Sequence, residues 1–125
     1  MRFYTAVNCM DGRVQLPVIA YLKKRFRVEF IDMITEPGPG GVLATGTNKP
    51  LIKSIFYRIN ISLERHNSSG IAIVAHHDCA GNPVTDNEQL AHLHKAAKAL
   101  KSEYPHVPIV KLWVNEQWQV REIAE

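Results

Sequence analysis

Two short stretches of this 125-residue chain carry side chains with the types to do chemistry together. Cys9, Asp11 and Arg13 lie in Cys9-Met10-Asp11-Gly12-Arg13, and His76 and Cys79 lie in Ala75-His76-His77-Asp78-Cys79-Ala80-Gly81. Two thiolates and one imidazole are soft and borderline ligands that suit tetrahedral Zn²⁺, and a set of three leaves a fourth position open, as catalytic rather than structural zinc requires. An open zinc lowers the pKa of water to ~7, so a hydroxide nucleophile is available at neutral pH. An arginine two residues from an aspartate can hold it ionised through a charge-assisted hydrogen bond, and the anchored carboxylate can then orient such a nucleophile.

Each of these signals has a plainer counterpart. His-x-x-Cys arises by chance, and a lone cysteine is commonly a small buried hydrophobe. An exposed Asp–Arg pair contributes little. Cys9 to Arg13 also has the residue types of a cysteine phosphatase loop, a thiolate followed by an arginine. Only three residues separate them, too short an arc for successive amides to encircle a phosphate. A redox pair of Cys9 with Cys79 is a further alternative, but it leaves His76, Asp11 and Arg13 without a role.

The elements that must position these residues alternate between strand and helix. Phe3 to Val7 is a short run of β-formers, and Leu16-Pro17-Val18 opens a helix with proline in its first turn. Val28 to Ile34 predicts a second strand. Glu36-Pro37-Gly38-Pro39-Gly40-Gly41 is expected to interrupt regular structure, as a plain turn that lets backbone pass close to the metal site. Ile52, Ile55, Phe56, Ile59 and Leu63 recur at three- and four-residue steps, which predicts an amphipathic helix from about Lys49 to Arg65. Ile71 to Ala75 is continuously apolar, the pattern of a central parallel strand. Thr85-Asp86-Asn87-Glu88 has the form of a capping box for a helix ending near Tyr104-Pro105. Val107 to Val114 predicts a fourth strand, and Trp118 to Ile123 an edge strand.

Repetition of this kind implies an α/β fold: one three-layer domain over residues 1–125, a mainly parallel sheet of order 2-1-3-4 with a possible antiparallel edge strand, and helices on both faces. Ligands in such folds sit beyond the carboxyl ends of strands, where the strand order reverses. Cys9 to Arg13 follows the first strand and His76 to Cys79 follows the third. In that order the two strands are neighbours at the reversal.

The first stretch resembles the Cys-x-Asp-x-Arg motif of β-class carbonic anhydrases, and the second is similar to their His-x-x-Cys motif followed closely by glycine. The resemblance spans about residues 3 to 114. It implies Cys9, His76 and Cys79 as zinc ligands and Asp11 with Arg13 as the dyad that orients the zinc-bound hydroxide. The implied reaction is reversible hydration of carbon dioxide to bicarbonate; a non-catalytic zinc-binding or regulatory domain is the alternative. Gly12 stands where the family usually has serine, Ala75 replaces a common glycine, and the chain lacks the extra helices that build dimers in longer members. Part of the family's substrate pocket lies at a dimer interface, so a homodimer or higher homo-oligomer is expected.

Composition excludes several other classes. A hydrophobic fraction of 46%, a charged fraction of 22% and a formal charge of +3 are ordinary for a globular protein. The dense basic run Lys23-Lys24-Arg25 with Arg27 falls at an expected helix end, where cations complement the helix dipole, and it carries no nucleic-acid signature. No apolar run of ~18 residues points to a membrane span, and no export signal opens the chain, so a reducing cytoplasm is the expected setting for its two cysteines. His77 and Asp78 lie between the ligands, as outer partners, replacement ligands or solvent-facing groups, and His77 is a candidate proton carrier. His92 and His94 point to different helix faces, and His66 and His106 lie at element ends. Trp113 and Trp118 are expected to pack in the core and at the sheet edge.

Overall fold

A computed structural model describes residues 1–124. A five-stranded sheet of order β2-β1-β3-β4-β5 forms the middle layer. Its strands are β1 (Phe3–Cys9), β2 (Phe30–Glu36), β3 (Ile71–His76), β4 (Ile109–Val114) and β5 (Val120–Ile123). β1 pairs in parallel with both β2 and β3, and β3 with β4, whereas β5 returns antiparallel to β4. The expected order and the antiparallel edge are both present.

The alternation of side chains along the central strands divides the core into two halves. Tyr4, Ala6, Ala72 and Val74 face α1 (Gln15–Phe26), where Val18 and Leu22 are buried with them. Val7, Ile71, Ile73 and Ala75 face the other way, towards Ile55 and Ile59 of α3 (Lys49–Arg65) and Leu93, Ala96 and Leu100 of α4 (Asp86–Glu103). Every residue of β3 is buried. Full burial of each of its isoleucines stabilises the fold by roughly 1.5–3 kcal/mol against leaving it exposed. Among the described residues no helix is long and apolar enough to cross a membrane.

Helix ends follow local chemistry. Lys23, Lys24 and Arg25 occupy the last turn of α1, which Arg27 closes in a left-handed conformation (φ 53°). Asn48 caps α3 by accepting from Leu51 N, at 3.2 Å. Thr85 caps α4 by accepting from Glu88 N, also at 3.2 Å, but the capping box is only half closed: Thr85 Oγ1 donates to Glu88 Oε1 at 3.0 Å.

The segment after β2 departs from expectation. Instead of interrupting regular structure throughout, it starts a helix, α2 (Pro39–Thr45). Pro39 fills a first-turn position where the missing N–H costs nothing, and Gly38 supplies the left-handed residue before it (φ 58°). A Cβ on Gly38 or Gly41 would lie within 3 Å of Asn82 atoms, so these glycines permit close packing between the loops after β2 and β3. The last strand is also shorter than predicted, because Trp118 lies in the turn before it.

Candidate metal centre

Cys9 is the last residue of β1 and His76 the last of β3. The two strands run parallel side by side, with Val7 opposite Ile73, so both residues emerge at the same edge of the sheet. That edge is where the strand order reverses. Cys79 comes back to the same point because Asp78 takes a left-handed conformation (φ 57°), which aspartate tolerates better than most residues.

The ligand-type atoms of Cys9, His76 and Cys79 all lie within 4.8 Å of one another, and all three residues are buried. Cys9 Sγ and Cys79 Sγ are 3.8 Å apart. Two sulfurs each ~2.3 Å from one tetrahedral zinc would be separated by about 3.8 Å. His76 is 1% exposed. Its Nδ1–H donates to the His77 carbonyl at 2.7 Å, which leaves Nε2 as the free lone pair. Nε2 is buried and has no hydrogen-bond partner. An orphaned nitrogen beside two free thiols is costly in a folded protein unless something binds it. The donor set therefore fits a zinc ion.

The electrostatics agree with this arrangement. A hydrogen bond from the Cys79 thiol lowers the pKa of Cys9 and raises that of Cys79, so the pair gives up its first proton readily and its second reluctantly. Burial disfavours protonated His76, but the Cys9 sulfur, the His77 carbonyl and Asp11 together outweigh it and raise its pKa.

Asp11 and Arg13 form the expected pair. Arg13 Nη2 donates to Asp11 Oδ2 at 2.7 Å and Nε to Oδ1 at 3.1 Å, a two-pronged contact. The Asp11 side chain is 18% exposed, and the Arg13 hydrogen bonds hold its pKa down at about 2, so it is ionised at neutral pH. Asp11 also accepts from Arg13 N, which closes the short turn of 3-10 helix at Gly12–Val14. A pocket of about 230 Å³ opens beside Cys9 and Asp11, and Met10, Pro37, Ala80 and Gly81 complete its lining. A groove of about 570 Å³ between α4 and β4 is larger but is lined by none of these residues.

Several supporting residues carried no signal in the sequence. Asn8, fully buried, accepts from Cys9 N at 2.9 Å and donates to Val14 O at 3.2 Å. Gln15 Nε2 donates to the carbonyls of Cys9 (2.7 Å) and Asp11 (2.8 Å). Together they pin the backbone that carries Cys9 and Asp11. Asp78 accepts from Arg13 Nη1 at 3.3 Å, and its carbonyl accepts from Nη2 at 3.0 Å. His77 stands outside the cluster of three; its ring bonds Asp86 at 3.0 Å, and its carbonyl orients His76. Trp118 does pack against the core, but its ring also covers Arg13, with the guanidinium carbon 4.3 Å from the ring centroid. His92 and His94 make separate contacts, with Asn82 and Lys111 respectively.

A family model described as "Putative carbonic anhydrase" matches residues 1–124. A comparison with curated proteins gives no match.

Proposed function

The chain belongs to the family described as "Putative carbonic anhydrase", and from that premise we propose that it hydrates carbon dioxide reversibly to bicarbonate with a zinc ion held by Cys9, His76 and Cys79. The observation that carries this reading is the unpartnered His76 Nε2, buried with two sulfurs 3.8 Å apart. Zinc in that set supplies Lewis acidity, which makes water nucleophilic at neutral pH.

The chain's own residues do the rest. Asp11, ionised and gripped by Arg13, presents an acceptor that orients the attacking water and takes part in removing its proton. The apolar side chains of Met10, Pro37 and Ala80 beside Cys9 suit a small nonpolar molecule. The pocket is smaller than the ~300–1,000 Å³ typical of sites for larger ligands. Hydration of carbon dioxide releases one proton with each bicarbonate. The role of carrying it to solvent is assigned here to His77, which is part exposed and hydrogen-bonded to Asp86. A reducing cytoplasm would keep both thiols available to the metal.

Stopped-flow hydration of carbon dioxide, run beside metal analysis of the same preparation, tests the proposal. Zinc with turnover is expected. Zinc without turnover would replace it with a non-catalytic zinc-binding domain, and two thiols that oxidise to a disulfide without metal would replace it with a redox protein.

A further inference from the structure

Residues 115–119 join β4 to β5, and they are held by a dense set of hydrogen bonds. Asn115 Oδ1 accepts from Gln117 N at 3.0 Å and from Gln119 N at 2.9 Å. Its carbonyl accepts from Trp118 N at 2.9 Å, and its own N–H donates to Gln119 O at 3.1 Å. Within this turn Trp118 has φ 60°. Hairpin loops often end with a residue in that left-handed region, and glycine or asparagine usually occupies it, because a larger L-residue brings Cβ against a carbonyl. A tryptophan here breaks the local rule. Backbone strain of this sort persists where the surroundings over-determine it, and it concentrates at functional sites.

The conformation places the indole on one particular group. The guanidinium carbon of Arg13 lies 4.3 Å from the Trp118 ring centroid, within cation–π range, and the His76 ring lies 6.4 Å away. The edges of the guanidinium are already taken, by Asp11 and by Asp78. These edge contacts put nothing on either face of the guanidinium, and the Asp78 side chain that makes one of them is largely exposed. The face of an arginine that is itself 44% exposed needs a wall to define it. Trp118 is that wall.

We propose that Trp118 is a positioning residue for the Asp11–Arg13 pair. Its left-handed backbone lays the indole on the guanidinium, fixes the plane of Arg13, and through Arg13 fixes the direction in which Asp11 faces the metal pocket. The proposal rests on reading Asp11 and Arg13 as the orienting pair. It assigns the β4–β5 turn, remote in sequence from both motifs, to the working site.

The experiment compares wild type with Trp118→Leu and Trp118→Phe. ¹⁵N relaxation at Arg13 Nε, assigned by comparison with Arg13→Lys, reads the mobility of the guanidinium without any need for turnover. It should be rigid in wild type and in the Phe variant and mobile in the Leu variant. Zinc content should be equal in all three. For carbon dioxide hydration, kcat should fall about tenfold in the Leu variant with KM unchanged, and recover with Phe; a tenfold fall corresponds to about 1.4 kcal/mol in the barrier. An Arg13 Nε that stays equally rigid in the Leu variant would overturn the proposal. So would loss of zinc or of the fold in both variants, which would make Trp118 a general packing residue. If wild type itself has no hydration activity, the catalytic reading fails, and the relaxation measurement still decides whether Trp118 fixes Arg13.

Discussion

Cys9 Sγ and Cys79 Sγ lie 3.8 Å apart although seventy residues separate them in sequence. Nothing local brings them together. They meet because β1 and β3 are parallel neighbours and because the left-handed Asp78 turns the chain back after β3. The separation is too long for a disulfide, whose sulfurs stand ~2.05 Å apart, and it matches the edge of a zinc–thiolate tetrahedron.

The first expected outcome concerns metal. The protein as isolated should contain about one zinc per chain, as a single site of this ligand type implies. Cys79→Ser should lose most of it, because a hydroxyl is a far poorer ligand than a thiolate. Metal analysis after desalting reads both, and full zinc retention in the variant would remove Cys79 from the site.

Asp11→Asn should keep its zinc, since Asp11 is assigned an orienting role, and should cut carbon dioxide hydration by roughly ten- to a thousandfold, the scale of losing an acid–base or orienting group. Equal stopped-flow rates in wild type and variant would take Asp11 out of the mechanism.

Gly81 is where the loop carrying Cys79 presses on the loop after β2. A Cβ there would lie 2.5–2.7 Å from atoms of Pro37, two of them backbone. Backbone cannot swing aside as a flexible side chain can, so Gly81→Ala should destabilise the fold by about 1–3 kcal/mol, as overpacking generally does. Zinc should bind more weakly as well. Urea denaturation of the metal-free protein separates the two effects, and unchanged stability would mean that the loops part without cost.

Alkaline stability should depend on Tyr104. Burial, with Glu103 and Glu64 nearby, pushes its pKa up to about 12, and the neutral hydroxyl donates to Asn60 Oδ1 at 2.8 Å. An unfolded tyrosine ionises near ~10. The folded pKa is the higher one, so this group's contribution is complete below pH ~10 and is lost as pH rises towards the folded value. Tyr104→Phe should be less stable than wild type by about 1 kcal/mol at pH 7, the usual net value of one hydrogen bond. The gap should narrow above pH ~10. A gap that stays constant to high pH would show that the hydroxyl contributes nothing through its proton.

Assembly is the last expectation. Leu16, Met10, Tyr57, Phe30 and Ile61 are large apolar side chains left exposed, and β2 and β5 are both edge strands. Met10 lies at the pocket beside Cys9. We expect a homodimer or higher homo-oligomer that covers part of this surface and closes the pocket. Sedimentation velocity at micromolar concentration should show no major monomer species; a strict monomer would leave Met10, Pro37 and Ala80 of the one chain as the apolar walls of the pocket.

The sequence by itself determined most of the elements and which residue types stand where a site could form. Periodicity places α3 over Lys49–Arg65, the continuous apolar run places β3, and Thr85 marks the start of α4, because each rests on contacts within a few residues or on burial pattern alone. The types and spacing of Cys9, Asp11, Arg13, His76 and Cys79 were legible for the same reason. Only tertiary structure decided what holds them. The run of prolines and glycines after β2 starts α2 because Asn82 and α4 lie against it, which local propensity does not reveal. Asn8 and Gln15 look like ordinary polar residues until the fold shows which backbone groups they satisfy. Trp118 reads as part of an edge strand, and its place over Arg13 depends on a left-handed turn and on two segments more than a hundred residues apart. Local energies select helices, strands and caps. Which side chain ends over which depends on how distant elements pack, and that is settled only when the whole core closes.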